Sequence, residues 1–377
     1  MAGRVEGFVA DGFERVADAF ASNVSEHGDV GQCCVHLDGR LVADLRAGLP
    51  DDAVEVVFSA TKGATAACAN LLVQRGLLDL DAPVTRYWPE YGADGKEETL
   101  VRWVLSHKAG VLAPEPGLTM DDLGDWDRIV AALAEREPVW VPGSAYGYHA
   151  QTFGWLVGEL VRRVDGRGLG RFFAEEVAGP AEADFWIGFP AGEEPRLAPL
   201  SALEAEPPPG FDPEQFDMSQ YIGPLLMPAT TLNGALPDDI VEAAADRRYR
   251  AAELGAAGGV GSARGLSRMY AWLLDEFEPG TVADILRPDT SGPDRVLSTD
   301  AMPVEQRFGR GFMVPSPEDS PTGSATFGHE GAGGTTAFAD PEHRVAFAYA
   351  TTRIMLGAPG GDPRAEALIG AVYDTLR

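Results

Sequence analysis

Cysteine is nearly absent from this chain of 377 residues, which has Cys33, Cys34 and Cys68 as its three thiols. With no Cys-x-x-Cys and no Cys/His spacing, they form neither a disulfide framework nor a zinc-type ligand set, and they read as small buried hydrophobes. Lysine is as scarce, with only Lys62, Lys96 and Lys108, so arginine carries nearly all the positive charge. No run of about 18 apolar residues is present to span a bilayer. The first residues read as an acidic amphipathic helix (Phe8, Phe13, Val16, Ala17, Phe20) instead of a signal peptide, and a cytoplasmic location is expected. Missing too is a Gly-x-Ser-x-Gly frame around any serine, which removes the main support for an α/β-hydrolase.

What is present is a composition able to bury a large core, 45% hydrophobic, in two domains or one two-lobed unit. The 58 acidic against 30 basic residues give a formal charge of −28. Such a charge repels nucleic acid and anionic membrane surfaces, so neither is expected as a partner.

Along the chain, Gln32–Leu37 and Arg40–Leu45 flank Asp38-Gly39, a hairpin signal. A short strand follows at Val54–Phe58, then a helix over Ser59–Gly76. From 77 to 260 helical segments dominate (Leu100–Ser106, Trp126–Glu135, Gln151–Val164), with a Pro-rich stretch between Gly188 and Pro237 that reads either as a lid or as a solvated insertion. A helix over Ser262–Asp275, strands at Gly309–Val314, Thr335–Ala339 and Val345–Thr351, and a last helix over Pro363–Leu376 complete the pattern. Strands at both ends around a helical middle predict an α+β fold: a sheet lobe from 1–76 and 261–377, and a helical lobe from 77–260.

Three elements can carry chemistry. Ser59-Ala60-Thr61-Lys62 sets a hydroxyl at a helix start and an amine one turn later on the same face. A serine hydroxyl becomes a nucleophile when a neighbouring base takes its proton, and lysine serves as that base when burial keeps it neutral. The alternative is a helix N-cap followed by a solvent-facing lysine. The second element, Trp140-Val-Pro-Gly-Ser-Ala-Tyr-Gly-Tyr148-His149-Ala150, holds Tyr148 at a helix mouth, either as a proton-transfer partner of Lys62 or as a packed turn anchor. The third, Phe327-Gly-His329-Glu330-Gly331-Ala332-Gly333-Gly334, lets substrate lie against backbone, so that the amides of Ser59 and Ala332 form an oxyanion hole; a plain Gly-rich hairpin is the other reading. No histidine follows four residues after His329, so this is not a zinc motif.

In this order the three elements resemble the serine β-lactamase and penicillin-binding family, marked by Ser-x-x-Lys, Tyr-x-Asn or Ser-x-Asn, and Lys-Thr-Gly. Within it, Phe58-Ser-Ala-Thr-Lys62-Gly, Gly76-Leu-Leu-Asp-Leu-Asp81, Leu105-Ser-His107 and Gly328-His329-x-Gly331 are similar to the wording of family VIII carboxylesterases. The resemblance implies a β-lactamase/transpeptidase-like fold, with an antiparallel sheet of about five strands flanked by N- and C-terminal helices beside a mostly helical lobe. It implies Ser59 as nucleophile, Lys62 and Tyr148 as proton shuttles, His329 and Gly331 at the substrate, and no metal or organic cofactor. Two departures matter. Ala150 stands where the family has asparagine, with Gln151 beside it as a substitute contact on another helix face, and His329 stands where it has the lysine of Lys-Thr-Gly. Both favour a neutral small-molecule ester over penicillins or D-alanyl peptides. Carboxylesterase is the leading expectation. Beside it stand a transacylase using the same acyl-enzyme, a β-lactamase or D-amino-acid peptidase, and a binding protein that has lost catalysis. Oligomeric state stays open.

Overall fold

A computed structural model of the chain describes residues 4–203, 222–316, 318, 320–355 and 361–377. Its centre is an antiparallel sheet whose strands lie in the spatial order Val5–Val9, Arg40–Ala47, Gly31–Leu37, Val345–Thr351, Thr336–Asp340, Phe327–Glu330, Phe312–Met313 and Phe308–Gly309. The hairpin at Asp38-Gly39 forms as expected, both central residues having positive φ (49° and 72°) as a type I′ turn requires. Every residue of Val345–Thr351 is buried, because helices cover both sheet faces and apolar side chains are needed on each.

On one face the helices Glu14–His27 and Pro363–Leu376 pack together, closing a core of Val16, Phe20, Val35, Phe347, Leu368 and Val372. On the other lies the helix Ala263–Glu276, started by Ser262, whose hydroxyl accepts from the Gly265 N–H at 3.0 Å. Beyond it the helix Thr61–Gln74, buried over its first twelve residues, packs against Thr152–Asp165.

The sheet is wider than the five strands expected. Five strands of four to eight residues form its middle, and the edges gain Val5–Val9 on one side and a hairpin of two two-residue strands on the other. Phe8 therefore sits on an edge strand and is half exposed, and the helix begins only at Glu14, because the Asp11-Gly12 turn breaks the apolar spacing read as one helix. Gly309–Val314 is likewise two strands, since the chain reverses at Arg310-Gly311. The strand at Val54–Phe58 shortens to Glu55–Val56, and the helical segments form at Val101–Leu105, Trp126–Ala134 and Thr152–Asp165. In the Pro-rich stretch a 3-10 turn covers Ala191–Arg196, a short strand Ser201–Ala202 and a helix Leu226–Thr231. Pro207, Pro208 and Pro209, on which the lid reading leaned, lie outside the described residues. Among the described residues no helix is long and apolar enough to cross a membrane.

A buried ionic knot ties the last helix to the sheet. Arg364, with no exposed side-chain surface, pairs with Asp29 at 3.2 Å and Asp362 at 2.6 Å, and donates to the carbonyls of Arg353 (2.9 Å) and Gly333 (3.0 Å). Removing one partner of such a knot strands buried charge. Arg364→Met is expected to cost about 3 kcal/mol or more in urea unfolding, and a loss below about 1 kcal/mol would show that Asp29 and Asp362 find other partners.

Candidate active site

The strand Glu55–Val56 ends at a tight junction. Val57 donates to the Gly259 carbonyl at 3.0 Å, and Phe58 takes φ +45°, a left-handed conformation that a bulky residue adopts only under constraint. The Thr61 hydroxyl fixes it, donating to the Phe58 carbonyl at 2.5 Å while accepting from the Gly259 N–H at 3.0 Å. Ser59 sits in the resulting 3-10 turn, Phe58–Ala60, which runs straight into Thr61–Gln74.

One turn on, Lys62 is fully buried. Its Nζ lies 3.1 Å from Ser59 Oγ, 2.8 Å from the Ala150 carbonyl and 3.0 Å from the Ala256 carbonyl. Burial holds its pKa well below the ordinary lysine value. The neutral amine has two N–H groups and one lone pair, which matches two carbonyls and one hydroxyl proton.

Tyr148 completes the triangle from the other side, with Lys62 Nζ 4.6 Å from its ring centroid. Its phenol pKa is raised, mainly by burial, while the Ser59 hydroxyl acts the other way. The resting phenol is therefore protonated. Its ring lies 6.2 Å from Phe308, 5.1 Å from His107 and 6.1 Å from His329, centroid to centroid. His107 also fixes the backbone, accepting from Gly147 N–H on its carbonyl (3.1 Å) and from His149 N–H on Nδ1 (3.0 Å).

His329 is buried on the strand Phe327–Glu330. Its Nδ1 donates to the Glu330 carbonyl at 2.6 Å, an assignment made from the partner's being an acceptor, which leaves Nε2 a bare acceptor with no partner among the described residues. Burial pushes its pKa down to about 3, so the ring is neutral. The following turn, 331–334, presses on the Ser59 junction: a Cβ on Gly331 would stand 2.2 Å from the Val57 carbonyl, an approach that glycine alone permits. Ala332 is exposed at its tip, and the Gly333 carbonyl is held by Arg364.

Of the residues singled out in the sequence, Ser59, Lys62, Tyr148 and His329 converge. Gln151 turns instead toward Tyr249, and its Oε1 is buried with no partner among the described residues. The Ala150 and Ala256 carbonyls and Phe308 escaped the sequence reading. Main-chain acceptors carry no residue-type signal, and Phe308 is one phenylalanine among 17.

Comparison with known proteins gives a consistent picture. The model of a family described as Beta-lactamase matches residues 20–370. The Esterase/beta-lactamase LipL of Mycobacterium tuberculosis is 34% identical, the match covering 93% of this chain and 84% of that protein. The solved structure of a family VIII carboxylesterase is 33% identical with a TM-score of 0.86, over 99% of this chain and 100% of that one. EstA from Arthrobacter nitroguajacolicus Rue61a is 34% identical with a TM-score of 0.84, over 98% of each chain.

A base that works by a lone pair fails when protonated. The rate at which a fluorophosphonate labels Ser59 is expected to fall on the acid side as Lys62 takes up a proton, and Lys62→Met is expected to cut it about a hundredfold or more. An acid limb of unchanged position and height in that variant would assign the base to another group.

Proposed function

The chain belongs to the beta-lactamase family, and from that premise we propose that it is a serine hydrolase of the carboxylesterase kind, cleaving an ester through an acyl-enzyme on Ser59. The observation that carries this reading is the buried Lys62 amine on the Ser59 hydroxyl, with the protonated Tyr148 phenol beside them.

As Ser59 Oγ attacks the acyl carbon, its proton passes to the Lys62 lone pair. Negative charge collects on the former carbonyl oxygen, and the N–H groups of Ser59 and Ala332 stabilise it. When the carbon–oxygen bond breaks, Tyr148 gives its proton to the departing alkoxide and recovers one from Lys62. Water then enters by the same relay in reverse and releases the acid. The close approach that Gly331, the residue before Ala332, makes to Val57, two residues before Ser59, supports this role for the turn.

The substrate is a neutral ester. His329 offers no cation to a carboxylate, and Ala150 offers no amide; its side chain joins an apolar cluster with Leu112, Trp140, Ala229 and Val296, against which Tyr148, Leu225 and Leu226 pack. Gly331 belongs to the same substrate-facing assignment, whereas Gln151, expected as a further contact, turns toward Tyr249 and is left out of it. The sheet lobe comprises 1–76 and 261–377, and 77–260 forms the helical lobe. Three unpaired, buried cysteines fit a reducing compartment, and the cytoplasm is the location proposed.

Ser59→Ala is expected to abolish turnover of p-nitrophenyl butyrate, and Tyr148→Phe to reduce turnover of an ethyl ester, whose leaving group needs a proton, about a hundredfold. Wild-type activity in the serine variant would end the proposal. Installing a cation, His329→Lys, is expected to lower KM for nitrocefin, which carries a carboxylate, about tenfold or more while leaving KM for the neutral ester within about twofold. An unchanged nitrocefin KM would remove His329 from the account of selectivity.

A further inference from the structure

The loop that carries Tyr148 is held from a distance. Asp294 lies 146 residues further on and is fully buried, and its Oδ1 accepts from the Tyr148 N–H at 3.1 Å as well as from Val296 (2.8 Å) and Leu297 (2.9 Å) within its own loop. Neighbouring bonds repeat the stitch: Arg295 N–H donates to the Tyr146 carbonyl at 3.1 Å, the Tyr146 hydroxyl to the Gly292 carbonyl at 2.7 Å, and Gln306 N–H to the Tyr146 hydroxyl at 3.0 Å. One oxygen thus suffices for all three backbone donors. Asp294 Oδ2 is buried with no partner among the described residues. An asparagine would satisfy the same donors without burying an unpaired charged oxygen, which is the more costly arrangement.

We infer that Asp294 is a positioning residue for Tyr148, holding its backbone at the Ser59 junction and setting a fixed negative charge behind the phenol. The inference rests on the acid role proposed above for Tyr148. The groups that face this phenol are the Ser59 hydroxyl, the Lys62 amine, the rings of His107 and His329, and the carboxylates of Asp294 and Glu330. His107 and His329 are held neutral by burial, and so is Lys62. Burial raises the pKa of both carboxylates, and with the nitrogen bases neutral the charge that Asp294 and Glu330 carry when ionised is the charge around the phenol, and its sign is negative. Negative charge opposes tyrosinate, so the proton stays on Tyr148 until a leaving alkoxide basic enough to take it appears.

The role is separable from loop folding by its dependence on the leaving group. Asp294→Asn keeps the shape and the three accepted hydrogen bonds while removing the charge. It is expected to keep its thermal midpoint and KM, to move the alkaline limb of kcat/KM to lower pH, and to raise kcat about twofold for an ethyl ester relative to the p-nitrophenyl ester, because a more acidic phenol gives its proton to the alkoxide more readily and p-nitrophenolate needs none. Asp294→Ala, which also frees the loop, is expected to lower kcat about tenfold for the ethyl ester but about twofold or less for the p-nitrophenyl ester. In a Tyr148→Phe background, Asp294→Asn should no longer shift the limb or bias the leaving groups. Equal losses for both esters, or an alkaline limb left in place, would reduce Asp294 to a loop fastener and overturn the inference while Tyr148 keeps its role. A Tyr148→Phe enzyme that itself showed no leaving-group bias would instead overturn the acid role on which the inference rests.

Discussion

An uncharged amine inside protein is the constraint around which this chain is arranged. Lys62 is shut off from bulk solvent, and its three neighbours, a hydroxyl and two main-chain carbonyls, accommodate the neutral form. The carbonyls come from Ala150 and Ala256, far apart in the chain, so the amine finds its partners only when the fold is complete. That arrangement weighs on stability. The unfolded chain carries this lysine protonated at neutral pH and the folded chain does not, so the unfolded state binds the extra proton and stability rises with pH toward the ordinary lysine value. Chemistry and stability are therefore opposed at this one side chain, and the opposition is tolerated because the same desolvation makes the lysine a base.

Around the amine, the backbone is bent to suit. The Phe58 conformation, which costs about 1–3 kcal/mol, is held by Thr61 and Gly259 from two sides. The turn 331–334 meets this junction through Gly331, and its Gly333 carbonyl is gripped by the buried guanidinium of Arg364. The ionic knot of the C-terminal helix thereby reaches the reacting centre in one step. A charge that looks like a device for docking a helix also fixes the turn proposed to carry part of the oxyanion hole.

How legible this was depended on whether the information was local. Ser59 and Lys62 are three apart, and helical geometry alone puts them on one face; the Asp38-Gly39 turn and the apolar runs it joins were similarly readable. The β-lactamase-like fold and its helical flanks followed from the same motifs in order. What sequence could not supply were contacts between backbone atoms and distant segments. The Ala150 and Ala256 carbonyls belong to residues with no chemistry of their own, and Asp294 sits in Gly-Pro-Asp-Arg, which reads as an ordinary turn. The N-terminal error has another cause. Grouping Phe8 with Phe13, Val16 and Phe20 overlooks that it stands five residues before Phe13, off their helical face, and its pairing with the strand Arg40–Ala47, a tertiary event, shows where it belongs.

The histidines bear on the substrate preference proposed for such a site. Three of the six in the chain surround the reacting centre, and each has Nδ1 committed to backbone: His107 accepts from His149 N–H, His149 donates to the Gly147 carbonyl, and His329 donates to that of Glu330. Burial pushes His149 to about 4 and His329 to about 3, and His107 well below its usual value, so near neutrality none carries charge. A cationic ring here would raise the barrier to protonating Lys62 but would also attract carboxylate ligands into the cleft. Neutral rings do neither, and burial alone is left to depress the lysine. The centre is thus nearly free of positive charge inside a chain of net charge −28, so an anionic substrate meets repulsion from the surface and no compensating cation within. A neutral ester meets neither obstacle.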